Sequence, residues 1–417
     1  MCGANLAMMA EQSRLYHQLI ERGVKAENIV VIMNEEVVFS EQANPWPGKL
    51  YDNADRSHEW FEGVRVDYSG KDITSTNYIA VLTGHKEELS LVDGSNSTGR
   101  VLQTGPNDRL FVFHFGHGEP GRVLLADGYL YAKDLHEAFE RMQTEQKFKE
   151  LFYVIHACYS GSMFANALSP DGSIYAITSA NATEIATFND CQTVESRNRT
   201  YFICFNDVFE QVFFNNTQSE NAGTQSLEEQ YEFIRDHIIS DYAPSQWSHA
   251  QQFGSRRVAE EKAAKFEGEQ QPAYNQQLRS AVASPIVAGN GRMQGKIGAY
   301  FQVQEDLNQA KDPKQIHELQ RVLEEFEQER SDVRSKAAAV VRLLIDDPNE
   351  QTAVLSARPA TIDDFGCHRG VLKQMDAKCP QISKGMFVTD FIAVLTQLVN
   401  QRVDCGRLVA AVGQVCR

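Results

Sequence analysis

The sequence predicts an α/β domain with a mostly parallel sheet and flanking helices, followed by an all-α domain. Two apolar, β-rich runs, 109–115 and 151–158, stand on either side of a segment with helical apolar spacing, 132–142. Strand, helix and strand in that order form a right-handed crossover, so the two strands are parallel neighbours. A Gln-rich stretch comes later, and only helical patterns follow it. These observations divide the 417 residues into a first domain at 1–268, a linker or activation region at 269–311, and a second domain at 312–417.

The first domain alternates between helical and strand patterns. Residues 10–21 have a helical period, 28–33 form a short β-branched run typical of a buried strand, and 77–82 are apolar at helical spacing. After the crossover unit, 172–179 predict another strand and 227–238 predict an amphipathic helix. The alternation indicates a sheet that is covered by helices.

The second domain is helical from Ile316 onwards. Residues 333–345 continue the helical apolar period, and 387–399 are apolar enough for a buried helix. The preceding stretch, 269–311, contains Gly and Pro and has weak periodicity, which is typical of a linker.

Two candidate catalytic residues stand at the ends of the predicted parallel strands. His117 lies between two glycines after 109–115, and Cys158 ends the run 151–158 just before a Tyr-Ser-Gly-Ser turn. Open α/β folds place their sites at the carboxyl ends of parallel strands. We therefore expect His117 and Cys158 to meet, and an imidazole beside a thiol can activate it as a thiolate nucleophile.

Each of these residues has a structural alternative when it is considered alone. A cysteine after an apolar strand is more often a core residue, and a histidine between glycines is more often a turn residue. The occurrence of both at one sheet edge favours the catalytic interpretation.

Charge and composition exclude other classes of partner. The formal net charge of −16 argues against nucleic acid. No run approaches the about 18 consecutive apolar residues of a membrane helix, so no membrane partner is predicted. Four Asn-x-Ser/Thr triplets are compatible with a glycoprotein on the secretory route, at Asn96, Asn181, Asn198 and Asn215.

Half of the eight cysteines lie near the C-terminus: Cys367, Cys379, Cys405 and Cys416. Four cysteines permit three disulfide pairings. Zinc is the competing interpretation, but there is no Cys-x-x-Cys and no adjacent pair of histidines. Disulfides indicate an oxidising compartment. No pattern assigns a role to Cys2, Cys191 or Cys204.

Several motifs occur in the order of a known family. Phe115-Gly-His-Gly-Glu-Pro-Gly121 and Ala157-Cys-Tyr-Ser-Gly-Ser-Met163 resemble the catalytic-histidine segment and the nucleophile turn of the legumain family, which are caspase-like asparaginyl endopeptidases. Shorter stretches that agree are 44–48, 66–70, 77–84 and 105–106. The resemblance implies a caspase-like sheet, Cys158 as nucleophile and His117 as general base and acid. It also implies oxyanion donors among the backbone N–H groups near Gly118 and Cys158.

The same resemblance assigns residues around the substrate. Asn5 matches the family's asparagine that orients the histidine. Ala7 stands where the family has an arginine that binds the substrate's Asn side chain, and Tyr159 stands where it has a glutamate. Asp207 replaces a pocket serine. Because a polar pocket discriminates through paired hydrogen bonds, we expect a reduced or broadened preference for Asn before the cut.

The resemblance makes the helical domain a zymogen prodomain. In this family it covers the active site as an intramolecular inhibitor, and cleavage in the linker and acidification release it, because carboxylates paired across the interface lose their charge. For this chain the resemblance implies disulfides Cys367–Cys405 and Cys379–Cys416, processing near Asn308, and protein or peptide substrates. It implies a lysosomal, vacuolar or secreted protein that needs no metal and no cofactor.

Alternatives to this interpretation stay open. The altered pocket favours a pseudoenzyme that kept the fold, and so does the lack of room before Asn5 for the family's first strand. The sequence begins without a secretory signal pattern, and we expect that segment to be missing together with the strand. A glycosylphosphatidylinositol transamidase subunit shares the Gly-His-Gly signature but lacks the four-cysteine helical domain. The sequence does not decide between hydrolysis and peptide ligation.

Overall fold

The computed structural model describes residues 2–218, 223–241, 248–269 and 298–416. In chain order the strands are β1 Arg109–Phe115, β2 Gly118–Glu119, β3 Arg122–Leu124, β4 Tyr129–Tyr131, β5 Glu150–His156, β6 Ile174–Thr178, β7 Phe188–Ser196, β8 Arg199–Asp207 and β9 Gln251–Gly254. The first helices are α1 Cys2–Glu21, α2 Glu35–Phe39, α3 Ser75–Thr83, α4 Ala132–Thr144, α5 Val208–Thr217, α6 Leu227–Asp241, α7 Arg256–Ala259 and α8 Ala264–Glu267. The later helices are α9 Gly298–Gln309, α10 Pro313–Leu344, α11 Pro348–Leu355, α12 Phe365–Lys378, α13 Pro380–Ser383, α14 Val388–Asn400 and α15 Cys405–Val415.

The central sheet has the strand order β1-β5-β6-β9, and only β9 is antiparallel to its neighbour. β1 and β5 pair from Arg109 opposite Glu150 to Phe115 opposite His156, so both strands end level with each other. The predicted mostly parallel sheet is confirmed. Every residue of β5 is buried, as expected for a strand that is covered on both faces.

Helices cover both faces of this sheet because successive side chains of β5 point to opposite sides. Tyr153 and Ile155 pack on the side of α4, in one core cluster with Leu135. Phe152 and Val154 pack on the side of α5 and α6. The two core layers hold the ends of β1 and β5 rigidly at one edge.

The predicted strand at 28–33 was wrong. Only Ile32 forms a bridge, to Tyr68, and Met33 N–H donates to the Tyr68 carbonyl over 3.0 Å. The Gln12 amide of α1 donates to the Ile32 carbonyl over 2.9 Å. Because this side chain of α1 hydrogen-bonds the Ile32 carbonyl, that group is not available to a neighbouring strand. The segment is therefore extended only locally and forms no continuous ladder.

Residues 188–207 form a hairpin that the sequence patterns did not predict. β7 and β8 are antiparallel, and Cys191 lies directly opposite Cys204, to which it is disulfide-bonded. Both cysteines are equally distant from the turn between Ser196 and Arg199. This disulfide gives a role to two of the three unassigned cysteines, whereas the side chain of Cys2 lies outside the described part of the chain.

The last part of the predicted linker or activation region forms the helix α9. Tyr300 of α9 is 6 % exposed and packs against Phe326 and Phe387 of the helical domain. Its hydroxyl also hydrogen-bonds Glu327. Burial of this aromatic ring stabilises a helix that the weak periodicity does not reveal. Residues 270–297 lie outside the described part.

The helices α10 to α15 form one apolar core around α14, whose Phe391 and Leu395 are fully buried. Disulfides join Cys367 to Cys405 and Cys379 to Cys416, the two pairs that the resemblance implies. The first joins α12 to the start of α15, and the second joins the residue after α12 to the residue after α15. Among the described helices, none combines the length and apolar character needed to cross a membrane.

Candidate active site

The sheet brings the two loops with His117 and Cys158 together. Beyond the β1–β5 ladder, the Gly116 N–H donates to the His156 carbonyl over 3.1 Å. A Cβ built on Gly118 would lie 2.0 Å from the Cys158 carbonyl oxygen, so these two backbones are in direct contact. The residue that follows His117 therefore touches the cysteine loop.

The loop after β6 encloses the thiol of Cys158. Cys158 is 8 % exposed, packs with Ala180 and Ala186, and places its Sγ 3.7 Å from the Ala186 carbonyl. The Tyr159 N–H donates to the Glu184 carbonyl over 2.7 Å. Tyr159 has a φ of 56°, a left-handed conformation that turns the chain sharply behind the thiol. Cys158 carries the free thiol among the cysteines whose side chains are described.

The electrostatic surroundings keep this thiol protonated. Burial raises the pKa of Cys158 from 9.0 to about 12, and the carboxylates of Asp207 and Glu119 act in the same direction. The thiolate is the nucleophilic form. The arrangement with the helical domain in place is therefore that of a resting thiol.

A three-stranded ribbon, β2-β3-β4, continues from the histidine loop. The His117 carbonyl accepts from the Leu124 N–H over 2.9 Å. Ser162 accepts from the Gly121 N–H over 2.8 Å, and its hydroxyl donates to the Tyr159 carbonyl. Ser162 thus ties the ribbon to the cysteine turn and limits relative movement of the two loops.

The helical domain lies on this ribbon. Arg122 of β3 is fully buried and donates to both carboxylate oxygens of Asp376 in α12, over 2.6 and 2.8 Å. Its Nε donates to Glu119 over 2.7 Å. The hydroxyl of Tyr131 in β4 also donates to Asp376. These contacts anchor α12 next to the His117 loop.

Further contacts extend this interface on either side. The side chain of Tyr159 lies near Thr389 and Asp390 of α14, so the residue after the nucleophile faces the helical domain. Arg369 of α12 donates to Asp134 over 2.5 Å and to Glu137 over 2.9 Å, both in α4. The helical domain therefore contacts the ribbon, the cysteine turn and α4 together.

The remaining predicted site residues lie beside the hairpin and beneath the loops. Asn5 is in the first turn of α1, and its side chain lies outside the described part of the structure. Ala7 is buried in an apolar cluster with Cys191, Cys204 and Phe115.

Asp207, which the resemblance assigns to the substrate pocket, lies buried beside His156. The side chain is 1 % exposed. One oxygen accepts from the Phe209 N–H over 2.7 Å at the start of α5, and the other lies 3.2 Å from His156 Nε2. Asp207 therefore caps a helix and holds a buried histidine. The polar cluster around His156 also contains Glu11 and Glu210 and can hold a metal ion.

The sequence patterns did not point to the interface residues. Arg122 and Asp376 are 254 positions apart, and neither belongs to a local motif. One available signal was the pair of tyrosines, Tyr129 and Tyr131, in a short segment between His117 and α4, because aromatic residues that are amphipathic are enriched at interfaces.

The fold and the paired loops define a two-domain α/β protein whose histidine and cysteine loops lie under a disulfide-bonded helical domain. The chain matches the Peptidase C13 family over residues 4–270 and the legumain prodomain over residues 321–416. It therefore belongs to the Peptidase C13 family, which are cysteine peptidases.

Curated relatives agree with this assignment. The vacuolar-processing enzyme delta-isozyme of Arabidopsis thaliana is 26 % identical over 99 % of this chain and 87 % of its own length. A hemoglobinase of Schistosoma mansoni is 30 % identical over 63 % of this chain and 56 % of its own length. Legumain of Canavalia ensiformis is 24 % identical over 91 % of this chain and 79 % of its own length.

Proposed function

We propose that the protein is a cysteine endopeptidase made as a zymogen, in which the helical domain is the inhibitor. The contact between the loops of His117 and Cys158 at the ends of two paired parallel strands carries this proposal. The domain that lies on the same loops supports the zymogen part. Protein or peptide chains are the substrates, and the names of the relatives favour a vacuolar or lysosomal compartment.

In the proposed mechanism His117 removes the proton from Cys158, and the sulfur attacks the carbonyl carbon of the scissile peptide bond. His117 then gives the proton to the leaving amine, which departs and leaves a thioester acyl-enzyme. Water, deprotonated by His117, hydrolyses the thioester and restores the thiol. The backbone N–H groups near Gly118 and Cys158 are proposed to donate to the oxyanion. No metal or organic cofactor takes part in these steps.

The capped form is the resting state in this proposal. Burial holds the pKa of Cys158 at about 12, so little thiolate exists near neutral pH. Removal of the helical domain takes Thr389 and Asp390 away from Tyr159 and exposes the loops to water. Hydration favours the charged thiolate, so release lowers this pKa.

A covalent probe for reactive thiols tests the proposal. We expect acid-released protein to be labelled on the peptide that contains Cys158, and we expect no label at that peptide in Cys158→Ala. Released protein that is unlabelled at every pH from 4 to 8 would show that the nucleophile is not functional. Peptide hydrolysis measured on the same samples separates turnover from mere thiol reactivity.

Acidification is expected to release the helical domain, with His368 of α12 as a main contributor. Its imidazole packs closely against Gly121 of the first domain, because a Cβ on Gly121 would lie 2.7 Å from the ring. Burial, and then the charge of Arg122, lowers the pKa of His368 from 6.5 to about 3. A released histidine binds a proton that the docked one does not, so docking weakens as pH falls below 6.5, by up to about 1.4 kcal/mol per pH unit.

A carboxylate adds to this effect at lower pH. Burial acts to raise the pKa of Glu137, but the hydrogen bond and charge of Arg369 outweigh it and hold the pKa below 4.5. The pair therefore stabilises docking above pH 4.5, and this contribution is lost as pH falls through the lowered value.

The measurement is hydrogen exchange of residues 118–131 against pH, in Cys158→Ala so that no self-cleavage occurs. His368→Gln is expected to move release to lower pH, and His317→Gln, an exposed residue of α10, leaves it unchanged. Equal release pH in His368→Gln and the parent would contradict the assignment.

In the wild type, acid is expected to produce a cut near Asn308, which is exposed at the end of α9. Intact mass showing no cut between Ala299 and Asp312 would remove that processing site.

A second candidate function is a pseudoenzyme that binds peptides without cleaving them. Ala7 lies in an apolar cluster where an arginine would contact the substrate, and Tyr159 replaces an acidic contact. The same changes lead us to propose a weaker or broader preference for Asn if cleavage occurs. A peptide library profiled from acidic to neutral pH distinguishes a broad cleavage preference from none, and from peptide ligation.

A further inference from the structure

A buried cluster of ionisable groups lies directly below the candidate site and takes no part in the chemistry proposed above. Glu11 of α1, His156 at the end of β5 and Glu210 of α5 each offer one ligand atom, and these atoms all lie within 4.8 Å of one another. All three residues are at most 1 % exposed. His156 is separated from Cys158 by one residue, Ala157.

Glu11 and Glu210 each have one carboxylate oxygen without a hydrogen-bond partner among the described residues. Glu11 uses one oxygen to accept from the Asp207 N–H over 3.2 Å. The second oxygen of Glu11 and the second oxygen of Glu210 are buried and have no hydrogen-bond partner there. A buried carboxylate without a partner is costly unless it takes up a proton or coordinates a cation.

The histidine is oriented as a metal ligand would be. Its Nε2 lies 3.2 Å from Asp207 Oδ2, while Nδ1 faces Glu210. Asp207 is itself fixed, because its other oxygen accepts from the N–H groups of Phe209 and Glu210. A ligating histidine usually donates its second ring N–H to a carboxylate in this manner.

We propose that Glu11, His156 and Glu210 bind one divalent transition-metal ion of the zinc type, with Asp207 as the carboxylate that orients the histidine. One nitrogen and two carboxylate oxygens suit Zn²⁺, whereas Ca²⁺ takes six to eight oxygen ligands. The ion joins α1, β5 and α5, which are distant in sequence. This inference does not depend on the proposed peptidase activity.

The competing state of the same cluster contains protons instead of a metal ion. In that state a doubly protonated His156 donates to Asp207 and Glu210, or Glu210 is a neutral acid. Such a cluster stabilises the fold without metal, and chelation has no effect on it. Metal content and its response to ligand substitutions therefore separate the two states.

The experiment uses the full chain, oxidised, with Cys158→Ala so that the free thiol does not bind zinc. After zinc loading and desalting, we expect about one zinc per chain by elemental analysis and a lower melting temperature after chelation. His156→Gln and Glu210→Gln are each expected to lose both the zinc and the thermal response. Asp207→Asn is expected to weaken zinc affinity by about 10–100-fold.

Glu150→Gln is the matched control. Glu150 is a fully buried glutamate at the opposite end of β5, where Arg109 and Arg257 pair with it. This variant is expected to keep the zinc even if it lowers the melting temperature. The proposal is overturned if the parent retains no zinc, or if His156→Gln and Glu210→Gln retain as much as Glu150→Gln does. If one ligand variant does not fold, the other still decides, because each ligand is required.

Discussion

Arg122→Met is expected to detach the helical domain at neutral pH. The guanidinium of Arg122 is fully buried between Glu119 and Asp376 and stacks over the ring of Tyr129 at 3.6 Å. Its removal leaves two carboxylates near each other without a cation. Breaking a buried pair on one side costs about 3–5 kcal/mol, which raises the released population at least about 10²-fold.

Asp376→Asn weakens the interface without changing any residue of the first domain, so its effect is not due to a less stable first domain. Asp376 belongs to the helical domain, so this variant weakens the contact while Arg122 keeps its bond to Glu119. The measurement is the rate at which a thiol probe labels Cys158 at pH 7. Both variants are expected to react faster than the wild type.

The control for these variants is Arg321→Met, the same substitution on the exposed face of α10, where Arg321 pairs with Glu318 and Glu325. This surface change is expected to leave the labelling rate unchanged. Arg122→Met and Asp376→Asn that label no faster than Arg321→Met would mean that the Arg122 contact does not hold the domain in place.

Gly118→Ala is expected to reduce peptide hydrolysis by about 10²-fold or more, because a misplacement of about 1 Å at reacting groups has that effect. The added methyl would lie 2.0 Å from the Cys158 carbonyl oxygen, and backbone cannot yield as a flexible side chain does. The loops of His117 and Cys158 must therefore move apart. The measurement is kcat/KM of acid-released protein, with melting temperature as the check on folding.

Gly223→Ala is the matched control, since a Cβ at Gly223 meets no atom of the described residues within 4 Å. It is expected to retain wild-type hydrolysis. Gly118→Ala with unchanged kcat/KM would show that the spacing of the two loops does not control the reaction, and the assignment of His117 as the base of Cys158 would lose its geometric support.

The parallel strands could be predicted because each leaves a local trace, whereas the two cysteine pairs followed from the family resemblance, since four cysteines alone permit three pairings. β1 and β5 are largely apolar runs that end at glycines or small residues. The crossover rule then predicts that the two strands are parallel neighbours. The segment 28–33 has the same apolar appearance, yet its backbone groups contact α1, which composition does not reveal. Strand formation depends on a partner ladder and not only on the residues of the strand.

The interface and the buried cluster could not be predicted, because they join residues that are distant in sequence. Arg122 meets Asp376, and His156 meets Glu11 and Glu210, only after the two domains and the sheet have formed. The helix α9 depends in the same way on burial of Tyr300 against residues that come later in the chain. A single polar residue in a pattern does not identify its partner.

The position of α9 separates cutting of the chain from departure of the inhibitor. A cut after Asn308 would leave Tyr300 on the peptidase fragment, yet its ring is buried among Phe326 and Phe387 of the other fragment. The two pieces would therefore stay together as a nicked complex, held by this ring as well as by Arg122 and Asp376. In the proposed zymogen the cut alone would therefore not uncover the loops of His117 and Cys158, and the acid that weakens docking would still have to separate the two pieces.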